Sequence, residues 1–198
     1  MFDAENPLTQ VAQEQMQSLK DAGWEAYQDT QWLRAAEIYG KALEIAESIN
    51  DTRPIVFYRF WRGVSLVHAG KLRQALAVLT PTLKEGTTGG DAADIYNTLT
   101  RYIDIAQELP VNLGAIEKAY QQTENFLRDS GNLDWRHKLL HLQTELYQRR
   151  GMYPEALAAA QESWAIWQQE YPCYTADTHL NNLVEISLLL RDAEQAQM

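Results

Sequence analysis

Gly23-Trp-Glu-Ala-Tyr27-Gln-Asp-Thr-Gln-Trp32-Leu-Arg-Ala35-Ala-Glu-Ile-Tyr39-Gly-Lys-Ala42 is the stretch from which the rest of this chain can be read. Apolar and small residues recur in it at steps of three and four, the period of a helix with one buried face, and Asp29-Thr30 interrupts the pattern midway. Two helices folded back on each other are expected. The second half has three echoes further on. Trp32-Leu-Arg-Ala35, Leu72-Arg-Gln-Ala75, Asn112-Leu-Gly-Ala115 and Tyr153-Pro-Glu-Ala156 fall at intervals of 40, 40 and 41 residues between the alanines. A fixed period of this length marks stacked helix pairs.

Working outward, strand signals are nearly absent and the helical period runs from Leu8 to Leu190. Helix starts are expected at Asn6 with Pro7, at Asp51 or Thr52 with Pro54, at Asn132 before Trp135 and at Thr175 after Pro172. The reason is that capping side chains satisfy free amides and proline is tolerated in a first turn. Shorter breaks at Asp29-Thr30, Ala69-Gly70, Leu109-Pro110 and Arg150-Gly151 lie inside each unit. A single repeat domain over 1–198 follows, with hairpins at about 8–49, 54–84, 91–129 and 133–170 and a capping helix at about 175–194.

The residues of each pair resemble the tetratricopeptide repeat. In the first, Gly23, Tyr27, Trp32, Ala35, Tyr39 and Ala42 stand where that family alternates small and large side chains, because small residues let helices approach and rings fill the gaps. Gly63, Gly70, Leu72, Ala75 and Leu79 repeat the pattern, as do Tyr147, Gly151, Tyr153, Ala156 and Ala160. The third pair keeps Ala115 and Ala119 but has Ile103 for the small residue and Asn112 for the aromatic one. The family's usual period is about 34 residues. The longer period here is similar to the variants in kinesin light chains and bacterial signal-responsive regulators, where the second helix runs on into a segment like 42–51. The resemblance implies an all-α, right-handed solenoid of four hairpins and a cap, and it leaves function open, since this fold hosts many roles.

The last helix should bury Leu180, Leu183, Ile186 and Leu190 against the fourth pair, as terminal repeats require. Leu188 and Leu189 are then candidates for contact with a second copy, giving a homodimer through this helix.

Seventeen Lys and Arg against 27 Asp and Glu leave a net charge of −10, which opposes phosphate backbones and anionic lipid surfaces, so neither nucleic acid nor membrane is the expected partner. The single Cys173 can form no internal disulfide, and a reducing, cytoplasmic compartment suits it. MFDAENPLTQ lacks the basic and then apolar run of a secretory signal. Leu180 to Leu190 is interrupted by Asn181, Asn182, Glu185 and Ser187 and falls short of the roughly 20 apolar residues of a membrane span.

No catalytic motif emerges. Gly86-Thr-Thr-Gly-Gly90 lacks the Lys-Ser/Thr and the strand of a phosphate-binding loop, and Ser65 beside Gly63 lacks the context of a nucleophile elbow and reads as helix surface. His137, His141 and Glu145 share a helix face. The first and last stand about 12 Å apart along the axis, too far to grip one metal ion, so a solvated face is expected. His68 and His179 have no evident partner in sequence. Neither cofactor nor metal is expected, and the chain is not read as an enzyme.

In the tetratricopeptide repeat, the first helix of each pair lines a concave groove. The resemblance places there Lys20, Trp24 and Tyr27; Phe57, Phe60, Val64 and His68; Asn97, Thr100, Asp104 and Gln107; Lys138, His141, Glu145 and Gln148; and Asn181 and Glu185 from the cap. The groove so drawn is aromatic at one end and polar at the other, which suits a peptide with an apolar anchor and a polar or basic flank. Trp24 and Phe60 have an alternative role as packing between pairs. Against the family's carboxylate clamp, Lys20 and Arg101 match, but Trp24 and Trp61 replace two asparagines and Asn97 replaces a lysine. The function implied is a protein-interaction adaptor or chaperone for a basic or apolar segment. The alternative is a structural or regulatory subunit assembling through its convex face or array ends.

Overall fold

Asp51 and Asp91, forty residues apart, each open a helix by accepting a hydrogen bond from the amide two residues on, at 3.3 Å from Arg53 and 2.7 Å from Ala93. Such caps satisfy amides that the first helical turn leaves free. The computed structural model describes residues 7–85, 91–109, 113–128, 133–170 and 183–189. All regular structure among them is helical: α1 Pro7–Gln28, α2 Trp32–Ser48, α3 Thr52–His68, α4 Leu72–Glu85, α5 Ala92–Glu108, α6 Leu113–Arg128, α7 Leu133–Arg149 and α8 Tyr153–Glu170. A ninth helical segment, α9, covers 183–189.

The turns inside the hairpins share one design. Thr30, Gly70 and Gly151 adopt left-handed φ values of 60°, 69° and 69°. Around each, the next residue's amide reaches five back, Gln31 to Ala26, Lys71 to Leu66 and Met152 to Tyr147. Those bonds satisfy carbonyls at the end of the first helix and turn the chain into the second. Ala35, Ala75 and Ala156, all fully buried, then donate their amides to Gln31, Lys71 and Met152 in the first turn of the second helix.

Two compact units form, Met1–Thr123 and Glu124–Met198. In the first, α1 packs on α2, α2 on α3, α3 on both α4 and α5, and α4 on α5; in the second, α7 packs on α8. Gly23 of α1 meets Tyr39 of α2, and Gly63 of α3 meets Leu79 of α4, so the first two hairpins are each closed by a small residue against a large one. In the second unit Ile186 of α9 is fully buried with Ala156 and Ala160, with Leu157 and Leu183 packed around it, so this segment does cover α8.

The third hairpin requires a correction. Ala115 is exposed and Ile116 is buried, so the inward positions are Ala35, Ala75, Ile116 and Ala156. Two further buried series agree with that register, Tyr39, Leu79, Tyr120 and Ala160, and Ala42, Thr82, Thr123 and Ser163. Ile103, forty residues after Gly63, is buried as well. The additional residue therefore lies between Ile103 and Ile116, ahead of the inward face of α6, and not between the third and fourth hairpins.

Candidate functional site

Lys20, Trp24 and Tyr27 follow one another along a face of α1, and α3 brings Phe57, Phe60 and Trp61 against them. Trp61 is the hub. Its ring lies 5.3 Å from Trp24, 5.5 Å from Tyr27, 6.2 Å from Tyr39 and 5.5 Å from Phe60, mostly edge to face. Trp24 also stacks on Tyr27 at 5.7 Å. Such offset and T-shaped contacts match the negative face of one ring to the positive edge of another. The Lys20 ammonium sits 5.1 Å above Phe57, a cation on an aromatic face.

The α1–α2 turn extends this wall. It returns Trp32 over Tyr27 at 4.9 Å, and Trp32 stacks on His68 at 4.7 Å from the end of α3. Tyr27 Oη and His68 Nε2 are hydrogen-bonded at 3.0 Å. Beside this pair opens a depression of about 570 Å³ lined by Thr30, Gln31, Trp32, Leu33, Arg34, His68 and Ala69. Thr30 adopts its left-handed conformation at the rim. Arg34 is tied to the side chain of Gln31 at 2.8 Å.

Beneath the wall the chemistry is closed. Tyr39 is 1% exposed, and burial, helped by Tyr27 and Tyr58, pushes its hydroxyl up to about 12. Tyr58 is raised too, by burial and then by the Asp21 carboxylate, and its hydroxyl donates to the Met16 carbonyl at 3.0 Å. Neither phenol is poised to titrate near neutrality.

Several expectations change. Val64 is buried, because α3 is covered by α2, α4 and α5, so it lines no surface. Ser65 is fully buried and donates to the Trp61 carbonyl at 2.8 Å, so it is not helix surface. His68 has two partners, Tyr27 and Trp32. Trp24 both packs on Tyr27 and Trp61 and stays 44% exposed, whereas Phe60 is half-buried.

On α5, Asn97 is exposed, and Asp104 is paired with Arg101 at 3.3 Å, which occupies the arginine a carboxylate clamp would need. In the second unit Lys138 lies 4.7 Å over Trp135, and His141 Nε2 is 3.5 Å from Glu145. His137 Nδ1 is 3.0 Å from the buried Ser163 hydroxyl. That face is thus half-buried and internally paired, not freely solvated. No group of three or more His, Cys, Asp or Glu side chains suited to a metal ion occurs among the described residues. Asn181 lies outside the described residues.

Trp61 and Trp32 stand outside the groove that the resemblance implies. Trp61 follows Phe57 by four residues, a spacing that puts both on one helix face in the sequence itself.

Helical hairpins repeated in this way, with small-to-large contacts between their helices, define a tetratricopeptide-like repeat fold. The chain is similar over 92% of its length, at a TM-score of 0.69 and 12% identity, to 89% of a single-substitution variant of the kinesin light chain nearly identical TPR-like repeats from Podosopora anserina. The unsubstituted form matches 98% of this chain and 92% of its own, at a TM-score of 0.66 and 13% identity. No family model and no curated protein matches the sequence. The fold is therefore all-α and tetratricopeptide-like. No helix among the described residues is long and apolar enough to cross a membrane.

Proposed function

We propose that this chain is a non-catalytic protein-interaction scaffold, an adaptor or chaperone that holds an apolar or basic segment of a partner protein against the aromatic wall of its first unit. The observation that carries the reading is Trp24, which is 44% exposed in the middle of a ring cluster that fixes its orientation. A rigid, half-covered tryptophan loses little conformational freedom on binding and offers a large apolar area, the properties of an interface anchor. Lys20, Tyr27, Phe57 and Phe60 extend the same surface. The fold shared with kinesin light chain repeats supports a scaffold role, and the single Cys173 suits a reducing, cytoplasmic setting.

Affinity capture with the intact chain and with Trp24→Ala and Phe60→Ala variants tests this. Loss of the captured partners by variants with unchanged helical circular dichroism is expected, with affinity weakened by about 2 kcal/mol for Trp24→Ala. Undiminished capture by the folded double variant rules out the wall as the binding surface.

A second reading is supported by α9, where Val184 is 59% and Leu188 47% exposed. Those side chains suit self-association at the end of the array. Light scattering across a concentration series decides it, and a monomer at high micromolar concentration counts against a dimer.

A further inference from the structure

We infer that the segment held by this wall is extended and proline-rich, with basic flanking residues, and not an amphipathic helix. The inference rests on the wall being a binding surface, and it names the ligand's chemistry from the wall's donors.

Three indoles, Trp24, Trp32 and Trp61, join the wall through Tyr27 and one another. None of their N–H groups donates to a protein acceptor among the described residues, although Tyr27, Tyr58 and His68 beside them are all hydrogen-bonded. The indole nitrogens of Trp32 and Trp61 are not sealed in the interior either, since among the described residues the buried side-chain polar atom lacking a partner is Thr82 Oγ1. The wall therefore presents flat apolar faces studded with unused donors.

An α-helical ligand would leave those donors idle, because its carbonyls are already bonded along its own axis. A polyproline II segment has no internal hydrogen bonds and offers every carbonyl, while its proline rings lie flat on aromatic faces. Trp61 and Trp32 flank Tyr27 at 5.5 Å and 4.9 Å, so the three rings form one continuous surface on which such a segment can lie. Charge favours basic flanks, since Asp21 and Glu25 are exposed on α1 and Asp29 in the turn after it, while Lys20 is seated over Phe57.

Fluorescence anisotropy with three labelled peptides tests the proposal on the full chain. One repeats Pro-Pro-Leu with arginines at its ends, a second has every proline replaced by alanine, and a third has glutamates for the arginines. The proline peptide should bind at least about tenfold more tightly than either control. Trp24→Phe and Trp32→Phe, which keep a ring but remove the donor, should each weaken it about three- to tenfold with unchanged melting temperature. Equal binding of the alanine peptide, no binding of the proline peptide, or full affinity in both phenylalanine variants overturns the inference. If the alanine peptide binds and Trp24→Ala abolishes that binding, the wall remains an interaction surface while the proline-rich ligand is discarded.

Discussion

Gly23 lies flat against the ring of Tyr39, so closely that a Cβ there would stand 2.8 Å from Cε1. The contact sets how near α1 and α2 approach, and Gly63 repeats it with a Cβ distance of 2.5 Å to Leu79 Cδ2. Tyr39 and Leu79 are both fully enclosed, so neither side chain can swing away.

Gly23→Ala and Gly63→Ala should each lower stability by about 1–2 kcal/mol, overpacking outweighing the helix propensity that alanine adds. Gly40→Ala serves as the control, since the nearest atoms to its new methyl belong to the flexible Arg62 guanidinium, at 3.4 Å. Urea midpoints measure all three. A stabilising Gly23→Ala would show that the two helices can separate without cost.

Thr30 should gain from becoming glycine. It is a β-branched residue at φ 60°, in the turn position that glycine fills at Gly70 and Gly151. Left-handed backbone costs a side-chain-bearing residue roughly 1–2 kcal/mol, and Thr30→Gly should recover about 1 kcal/mol after the added chain entropy of glycine. A rise in melting temperature is the expected readout, and a fall would mean that the Thr30 side chain makes a compensating contact.

Thr82 is fully buried on α4, next to Pro81, and its hydroxyl has no hydrogen-bond partner. Its counterpart in the first hairpin is Ala42, which brings no polar atom inside. Thr82→Val keeps the shape and removes the unsatisfied group, so stability should rise by about 1 kcal/mol. Chemical denaturation of the variant would contradict this if the midpoint fell.

Alkaline stability depends on Tyr39. Its folded-state pKa is raised to about 12 from an ordinary value of 10.0, chiefly by burial. The folded chain thus holds a proton that the unfolded chain releases above about pH 10. Stability from this group is fully present below pH 10 and is lost as pH climbs toward 12. Denaturation midpoints at pH 8 and pH 11 should differ less in Tyr39→Phe than in the parent chain. An identical pH dependence would remove Tyr39 as the cause.

The third hairpin departs from the register that the alanines imply. Ala115 matched Ala35 and Ala75 by residue type, but Ile116 occupies the inward site. Residue identity was the weaker guide, and the burial of Tyr120, Thr123 and Leu127 at the following helical steps shows the actual face. One residue before α6 rotates the helix by about 100° relative to the spacing-based alignment, enough to exchange an exposed position for a buried one.

Helix content, the cap at Asp51, the hairpin turns and the forty-residue period are legible without coordinates, because capping and helical periodicity act over a few residues, whereas the cap at Asp91 emerged only from the structure. The aromatic richness of α1 and α3 is legible too. The grouping of those rings was decided by packing: Trp61 as the hub, Trp32 returned over Tyr27, His68 bonded to Tyr27 forty-one residues away, and Val64 closed off while Trp24 stays open. A helix repeats its side chains at a set angle, but which of its faces meets a neighbour depends on how many helices surround it. α3 has partners in α2, α4 and α5, and that enclosure separates the rings that line a surface from the side chains that fill the core.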